Sequence, residues 1–373
     1  MPFKNHVTFC VLFFSLLLIG CTSKNDHSFS ISGIVPDLTD NYIVFSKVDD
    51  IQKMTTIIID TIEVSDKDEF SAIYFLEPNI YTLTFDNQKT VLLAIDKGQN
   101  IEVIGDNIDR LKVSGSIDTA LLNEYEIYRI ASLDRLVNSV RSNIKKLKAK
   151  NGSELEVTAL RELEVENYKE HLNYLIAFVK EKMWTSIAVY PTSIRLNVEN
   201  FPFLERLVAN FEEKYPMIDI TQKLKYRLHL LNKTKIGSFL STIEMPNSSN
   251  ELINLNDIRG TYTLIDFWAS WCHPCRTESK LLHELYSSYN IKGFEIYGIS
   301  LDSNKKRWIK ALEKDNRFWT NVSTNEGFDT PAAQDFGITA LPKNILIDSA
   351  GKIIAVNIHG QELKEKITKF FTN

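Results

Sequence analysis

The chain has 373 residues, a formal net charge of −5, 44% apolar residues and 24% charged ones. That length predicts two or three domains of ordinary globular composition. No basic patch and no acidic tail stands out, so no nucleic-acid partner is expected.

The N-terminus has its own signature. Lys4 precedes the apolar run VTFCVLFFSLLLIG. The run is shorter than the ~20 apolar residues that span a bilayer. It fits a secretory signal over residues 1–20. Its end, Leu18-Ile19-Gly20-Cys21, resembles a bacterial lipobox. That resemblance implies cleavage before Cys21 and lipidation of that residue, with several acyl chains holding the protein to membrane lipid. The expected location is the cell envelope, facing the periplasm from the inner or outer membrane. Cys10 then leaves with the signal, and the mature thiols are Cys272 and Cys275. Outside the cytoplasm disulfides persist.

Residues 21–28 read as a lipidated polar tether. Over residues 29–116 short β runs follow one another: FSISGIV, NYIVFSKV, TTIIIDTIEV, IYTLTF, TVLLAI, NIEVIG and RLKVSGS. Turn signals such as KGQN and GDN separate them, which predicts an all-β sandwich or small barrel. From residue 117 the period changes to that of helices, with Leu133, Leu136, Val137, Val140, Ile144 and Leu147 on one stripe. The KNGS break and a Ser153/Glu156 capping box predict a second helix through Tyr168, Leu175 and Met183. Residues 117–235 are therefore a helical region. Residues 236–373 read as α/β. YTLIDFWA and FEIYGISL are buried strands, each followed by a helix, and NILIDSAGKIIAVNIHG is a hairpin turning at Ser349-Ala350-Gly351. A final helix over ELKEKITKFF closes the chain.

The chemistry centres on DFWASWCHPCRTE, residues 266–278. Haem attachment needs His directly after the second cysteine, and Arg276 stands there. A structural zinc site needs a second ligand pair, which the sequence lacks, so no metal is expected. A passive disulfide closing so small a loop constrains the unfolded chain little. Redox chemistry remains. A strand ending near Ala269 and a helix starting near Cys272 place the first thiol at a helix N-terminus, where free N–H groups favour an anion. The expected thiol pKa falls towards ~7, against ~8.5 for free cysteine. Pro274 suits a first helical turn, which needs no N–H there. Cys272 is expected to be an exposed nucleophile and Cys275 a shielded resolving thiol.

These residues resemble the active site of the thioredoxin superfamily. The flanking pieces NLNDIRGTYTLIDFWASWCHPCRTE, GFEIYGISLD, DFGITALPKNILIDSAGKI and HGQEL narrow the resemblance to TlpA/ResA-like membrane-anchored thiol–disulfide oxidoreductases. It covers about residues 236–373. The β and helical regions ahead of it resemble, more loosely, the arrangement of Bacteroidetes lipoproteins of this kind. The resemblance implies a thioredoxin fold, no cofactor, and exchange with disulfide-containing envelope proteins, with a membrane thiol electron donor. It assigns attack to Cys272 and resolution to Cys275. Leu341-Pro342 matches the cis-proline loop that pairs with substrate backbone, and Trp271, His273 and Pro274 complete the expected substrate contact. Asp266 matches the buried acid of thioredoxins, and Glu278 the acid of the ResA-like branch. Either can take the proton of Cys275. Their plainer roles are a sheet-end hydrogen bond for Asp266 and a solvated helix charge for Glu278.

Two positions depart from the family. Lys280 stands where many relatives carry a Pro that kinks the helix. His273 replaces Gly or Glu and brings a titratable charge beside the thiolate, while Pro274 matches reducing thioredoxins. Reduction of substrate disulfides is the expected direction, and oxidation or isomerisation uses the same site. A thiol peroxidase matches poorly, since Ala269 and Ile265 stand where its Thr or Ser and Pro belong. A surface binding lipoprotein with an inert thioredoxin-like domain is the remaining rival.

Overall fold

The computed structural model describes residues 28–372. The expected signal, the lipobox with Cys21 and nearly all of the tether lie outside the described residues. Among the described residues no helix is long and apolar enough to cross a membrane.

Eight strands come first: β1 (Ser28–Ile34), β2 (Tyr42–Asp50), β3 (Thr55–Glu63), β4 (Glu69–Phe75), β5 (Asn79–Phe85), β6 (Lys89–Ile95), β7 (Asn100–Gly105) and β8 (Leu111–Ser114). They form two four-stranded sheets, ordered β4-β1-β7-β8 and β3-β2-β5-β6. Alternate residues of both sheets share one core, including Phe29, Ile31, Phe45, Tyr74, Tyr81 and Val103. This is the expected sandwich, since a strand points every second side chain to one face. Strand β4 escaped the sequence reading. It buries Phe70 and Tyr74 but also exposes Ile73 and Phe75, so apolar residues on both faces blur its alternation.

The helical region follows as α1 (Ile117–Leu133), α2 (Ser139–Ala149), α3 (Glu154–Phe178), α4 (Val189–Ser193), α5 (Phe201–Lys214) and α6 (Asp219–Lys233). A π-helical turn over Asp134–Asn138 joins α1 to α2, so the two run on as one rod. The capping box is present at the start of α3, where Ser153 and Glu156 satisfy each other's backbone N–H. Ser116 caps α1 and, with Thr119, bonds the Ala94 carbonyl of β6. Below that stitch, Ile80 and Ala94 of the sandwich share a core with Leu122, Tyr125, Leu204 and Phe211 of the helices. The helices therefore build on the back of one sheet.

The C-terminal region contains β9 (Glu244–Pro246), β10 (Leu252–Asn254), α7 (Leu255–Ile258), β11 (Tyr262–Trp268), α8 (His273–Tyr289), β12 (Phe294–Ser300), α9 (Lys305–Lys314), β13 (Thr320–Val322), α10 (Pro331–Asp335), β14 (Lys343–Asp348), β15 (Ile353–Val356) and α11 (Gly360–Thr372). Its five-stranded sheet has the order β13-β12-β11-β14-β15. Strands β11, β12 and β13 are parallel, and β14 runs antiparallel to both of its neighbours, β11 and β15. Apolar residues cover both faces, with α8 and α11 on one and α10 on the other. This is a thioredoxin-like α/β layer. The short β9, β10, β13, α7 and α10 carry too few residues to show a period and were not anticipated.

Gly115, between β8 and α1, has a φ of 82°, and a Cβ there would sit 1.6 Å from the Asn100 carbonyl oxygen. Gly115→Ala should lose at least about 1–3 kcal/mol of stability from the backbone strain alone. Calorimetry should show a lower melting temperature, and an unshifted one would mean that this junction tolerates rearrangement.

Candidate active site

Strand alternation decides what lies under the helix that carries the cysteines. Ile265 and Phe267 point to one face of β11, and Leu264 and Trp268 to the other. Asp266 shares the second face, beneath α8. After Trp268 the chain turns sharply, with the Cys272 N–H bonding the Ala269 carbonyl at 3.0 Å. Cys272 is the N-cap of α8, and Pro274 sits in the first turn.

Cys272 and Cys275 form a disulfide, with Cα atoms 5.4 Å apart. The Cys275 N–H donates to Cys272 Sγ at 3.3 Å. An unpaired helix N–H thus already points at the sulfur that bears charge after reduction. The junction is held from outside by Arg276, whose Nε and Nη2 bond both Asp315 oxygens at 2.6 and 2.7 Å. That fork ties the first turn of α8 to the end of α9. Helix α8 runs unbroken to Tyr289, with Lys280 exposed on its surface.

The structure corrects one expectation. Cys272 is only 4% exposed, against 1% for Cys275. In the disulfide form both sulfurs are covered, packed among Trp268, Ala269, Trp308 and Ala311 with Leu341 alongside. The Leu341-Pro342 peptide bond is cis. Trp271 is 55% exposed and leans towards Phe328, with ring centroids 6.1 Å apart.

Two carboxylates close to α8 have different partners. Asp266 is 2% exposed, and Arg317 Nη1 donates to its Oδ2 at 2.8 Å. Complete burial pushes the Asp266 carboxyl above the usual carboxylate range, and the Arg317 guanidinium opposes that shift. Glu278 accepts from the Gly360 N–H at 2.9 Å and lies 2.8 Å from His359 Nδ1, which ties α8 to the start of α11. Its side chain is 10% exposed, so it is not a solvated helix charge. Arg317 and His359 were missed in the sequence. The available signal was the lone cation in DNRFWTNV, set among aromatic residues in the segment that leads into β13.

His273 lies at the surface with a partly desolvated ring. That desolvation pushes its pKa below the ordinary histidine value, and the charges of Arg161 and Lys148 add to the effect. The ring is therefore neutral at pH 7 and adds no cation beside the sulfur. Arg161 and Lys148 belong to the helical region, which thus reaches the rim of the site. Thr339, in the loop before Pro342, donates to the Ile194 carbonyl at 3.0 Å, and Lys53 of the sandwich pairs with Asp329 at 2.6 Å. Among the described residues no cluster of His, Cys, Asp and Glu could hold a metal ion.

Comparison with known proteins agrees with this geometry. Residues 260–353 match the Thioredoxin-like family, and residues 29–122 match a domain of unknown function, DUF4369. Thiol-disulfide oxidoreductase ResA of Bacillus thuringiensis subsp. konkukian is 30% identical over 138 residues, which cover 37% of this chain and 78% of that protein. The chain belongs to the ResA-like thiol-disulfide oxidoreductases. ResA of Bacillus anthracis is 31% identical over 143 residues, covering 36% of this chain and 76% of the relative. Among solved structures, the thioredoxin domain of a thiol-disulfide oxidoreductase from Bacteroides vulgatus is 34% identical, covering 36% of this chain and 97% of that one, with a TM-score of 0.34. A thiol-disulfide oxidoreductase from Bacteroides fragilis is 33% identical over 36% of this chain and 99% of that one, with a TM-score of 0.34. The ResA-like part is thus the C-terminal third, and the sandwich and helices are additions to it.

A lowered histidine pKa has a defined pH window. The neutral ring prevails above about pH 6.5, and protonation enters only as the pH falls below that. At pH 7.5 the reduction potential of His273→Asn should stay within about 15 mV of the parent, half of the 30 mV that corresponds to ~1.4 kcal/mol. Near pH 5 the variant should become the more reducing of the two. A shift of about 30 mV already at pH 7.5 would contradict a neutral ring.

Proposed function

We propose that the protein is a lipid-anchored, extracytoplasmic reductase of protein disulfides. The observation that carries the redox reading is the Cys272–Cys275 pair at the N-terminus of α8, with the Cys275 N–H already aimed at Cys272 Sγ. Reduced Cys272 attacks one sulfur of a substrate disulfide as the thiolate. The substrate S–S bond breaks, one substrate thiolate leaves, and a mixed disulfide forms. Cys275 gives up its proton to a carboxylate behind it, Asp266 or Glu278, and attacks Cys272 Sγ. The second substrate thiolate leaves, and the protein ends as the disulfide, two electrons poorer. A membrane thiol donor then restores the dithiol.

The substrate chain docks along Leu341-Pro342, with Trp271, His273 and Pro274 forming the rest of the contact. The exposed Trp271 ring supports this, since half-exposed aromatics are favoured contact groups. The reducing direction draws support from Pro274 and from the neutral His273, because a cation there would stabilise the thiolate and make the disulfide more oxidising. Anchoring rests on the Leu18-Ile19-Gly20-Cys21 lipobox alone. We assign residues 29–116 to the β domain, 117–235 to the helical region and 236–373 to the thioredoxin-like domain.

Insulin reduction by the full-length protein should vanish in Cys272→Ser. Activity unchanged by that substitution would overturn the enzyme reading and favour a binding lipoprotein. In the native cell, Cys275→Ala should accumulate mixed disulfides on Cys272, and mass spectrometry would identify the partners. Recovering none would argue against a protein substrate.

A further inference from the structure

Arg317 has no place in the exchange steps, yet it is the most heavily engaged side chain near them. It is fully buried, at 0% side-chain exposure. Its Nη1 donates to Asp266 Oδ2 at 2.8 Å, its Nε to Ser279 Oγ at 2.8 Å and its Nη2 to the Cys275 carbonyl at 3.1 Å. Its guanidinium carbon lies 3.9 Å from the centroid of the Trp268 ring. The Ser279 hydroxyl in turn donates to the same Cys275 carbonyl at 3.2 Å. One cation therefore binds the buried acid and grips the turn that carries the resolving sulfur.

We propose that Arg317 is a positioning residue for the resolving step: it cancels the Asp266 charge behind Cys275 and fixes the helical turn from which Cys275 attacks. This rests on the dithiol-exchange reading above and adds to it. The resolving step creates a sulfur anion in a buried site, and an uncancelled carboxylate nearby would oppose it. The attacking step places its charge on Cys272, at the helix N-terminus, where backbone N–H groups stabilise it. Loss of Arg317 should therefore fall on one step and spare the other. Arginine suits the place because its planar fork serves three acceptors at once and stays charged when buried.

A symmetric aromatic disulfide, 5,5′-dithiobis(2-nitrobenzoate), reads the two steps separately. Cys272 thiolate attacks it and releases one thionitrobenzoate, leaving a mixed disulfide. Cys275 gives up its proton, through Asp266 or Glu278 to the medium, attacks Cys272 Sγ and releases the second. With the full-length reduced protein at pH 8.5, Arg317→Gln should leave the first release unchanged and slow the second at least ~10-fold, the effect of one pKa unit. Arg317→Lys should restore most of the second rate by restoring the cation. Between pH 6 and 9 the second phase of Arg317→Gln should show an added titration, which Asp266→Asn in the same chain removes. Equal slowing of both phases, no slowing of either, or an added titration that survives Asp266→Asn would overturn the proposal. A second release that persists in Cys275→Ser would instead overturn the exchange reading itself.

Discussion

A carboxylate buried without a partner is among the costliest groups a protein can hold, and Asp266 is buried beneath the helix whose first turn carries the disulfide, where reduction creates another negative charge. The Arg317–Asp266 pair resolves that conflict. Removing one partner of such a pair typically costs about 3–5 kcal/mol, because the other charge is left uncompensated. The surrounding residues follow from it. Trp268 offers an aromatic face to the guanidinium, Ser279 accepts from its Nε, and the Cys275 carbonyl accepts from its Nη2. The floor of the site is an ion pair with an aromatic wall, built before any substrate arrives.

The sulfurs themselves depend on a junction rather than on a pocket. A strand that ends under a helix start delivers Cys272 to the N-cap, and three residues later Cys275 faces it across one turn. Two ties hold that helix in place. Arg276 locks its first turn to Asp315 of α9, and Glu278 locks its second to His359 and Gly360 at α11. Helix α8 is thereby fixed to both of its helical neighbours, so the strand-to-helix angle is set from two directions. The sandwich and the helical region add a rim, through Lys53–Asp329, Thr339–Ile194 and the charges of Arg161 and Lys148 near His273. A thiol-disulfide oxidoreductase gains selectivity from such a rim, since the dithiol alone discriminates little.

Much of this was legible in the sequence, for identifiable reasons. The three-part architecture shows because period-2 and period-3.6 patterns alternate along the chain in long blocks. The Cys-x-x-Cys helix start shows because an N-cap, a Pro in the first turn and a buried strand are local features. Strand β4 did not show, because Ile73 and Phe75 face outward and erase the alternation around Phe70 and Tyr74. Arg317 and His359 did not show because each acts through a residue far away in the chain, Asp266 and Glu278, and only the folded sheet brings them together. The burial of Cys272 was also beyond reach, since Trp308 covers it from α9 and Leu341 from the loop before β14. Local chemistry can be read along the chain, and charge compensation across the core cannot.

The account stands on an asymmetry between the two thiols, and alkylation measures it directly. The fully reduced protein would be treated with limiting iodoacetamide at pH 7, and the modified residues located by peptide mass spectrometry. The helix N-terminus at Cys272, with the Cys275 N–H aimed at its sulfur, predicts that Cys272 is modified and Cys275 spared. Modification of Cys275 first, or of both at equal rates, would contradict the assignment of attack and resolution on which the mechanism depends.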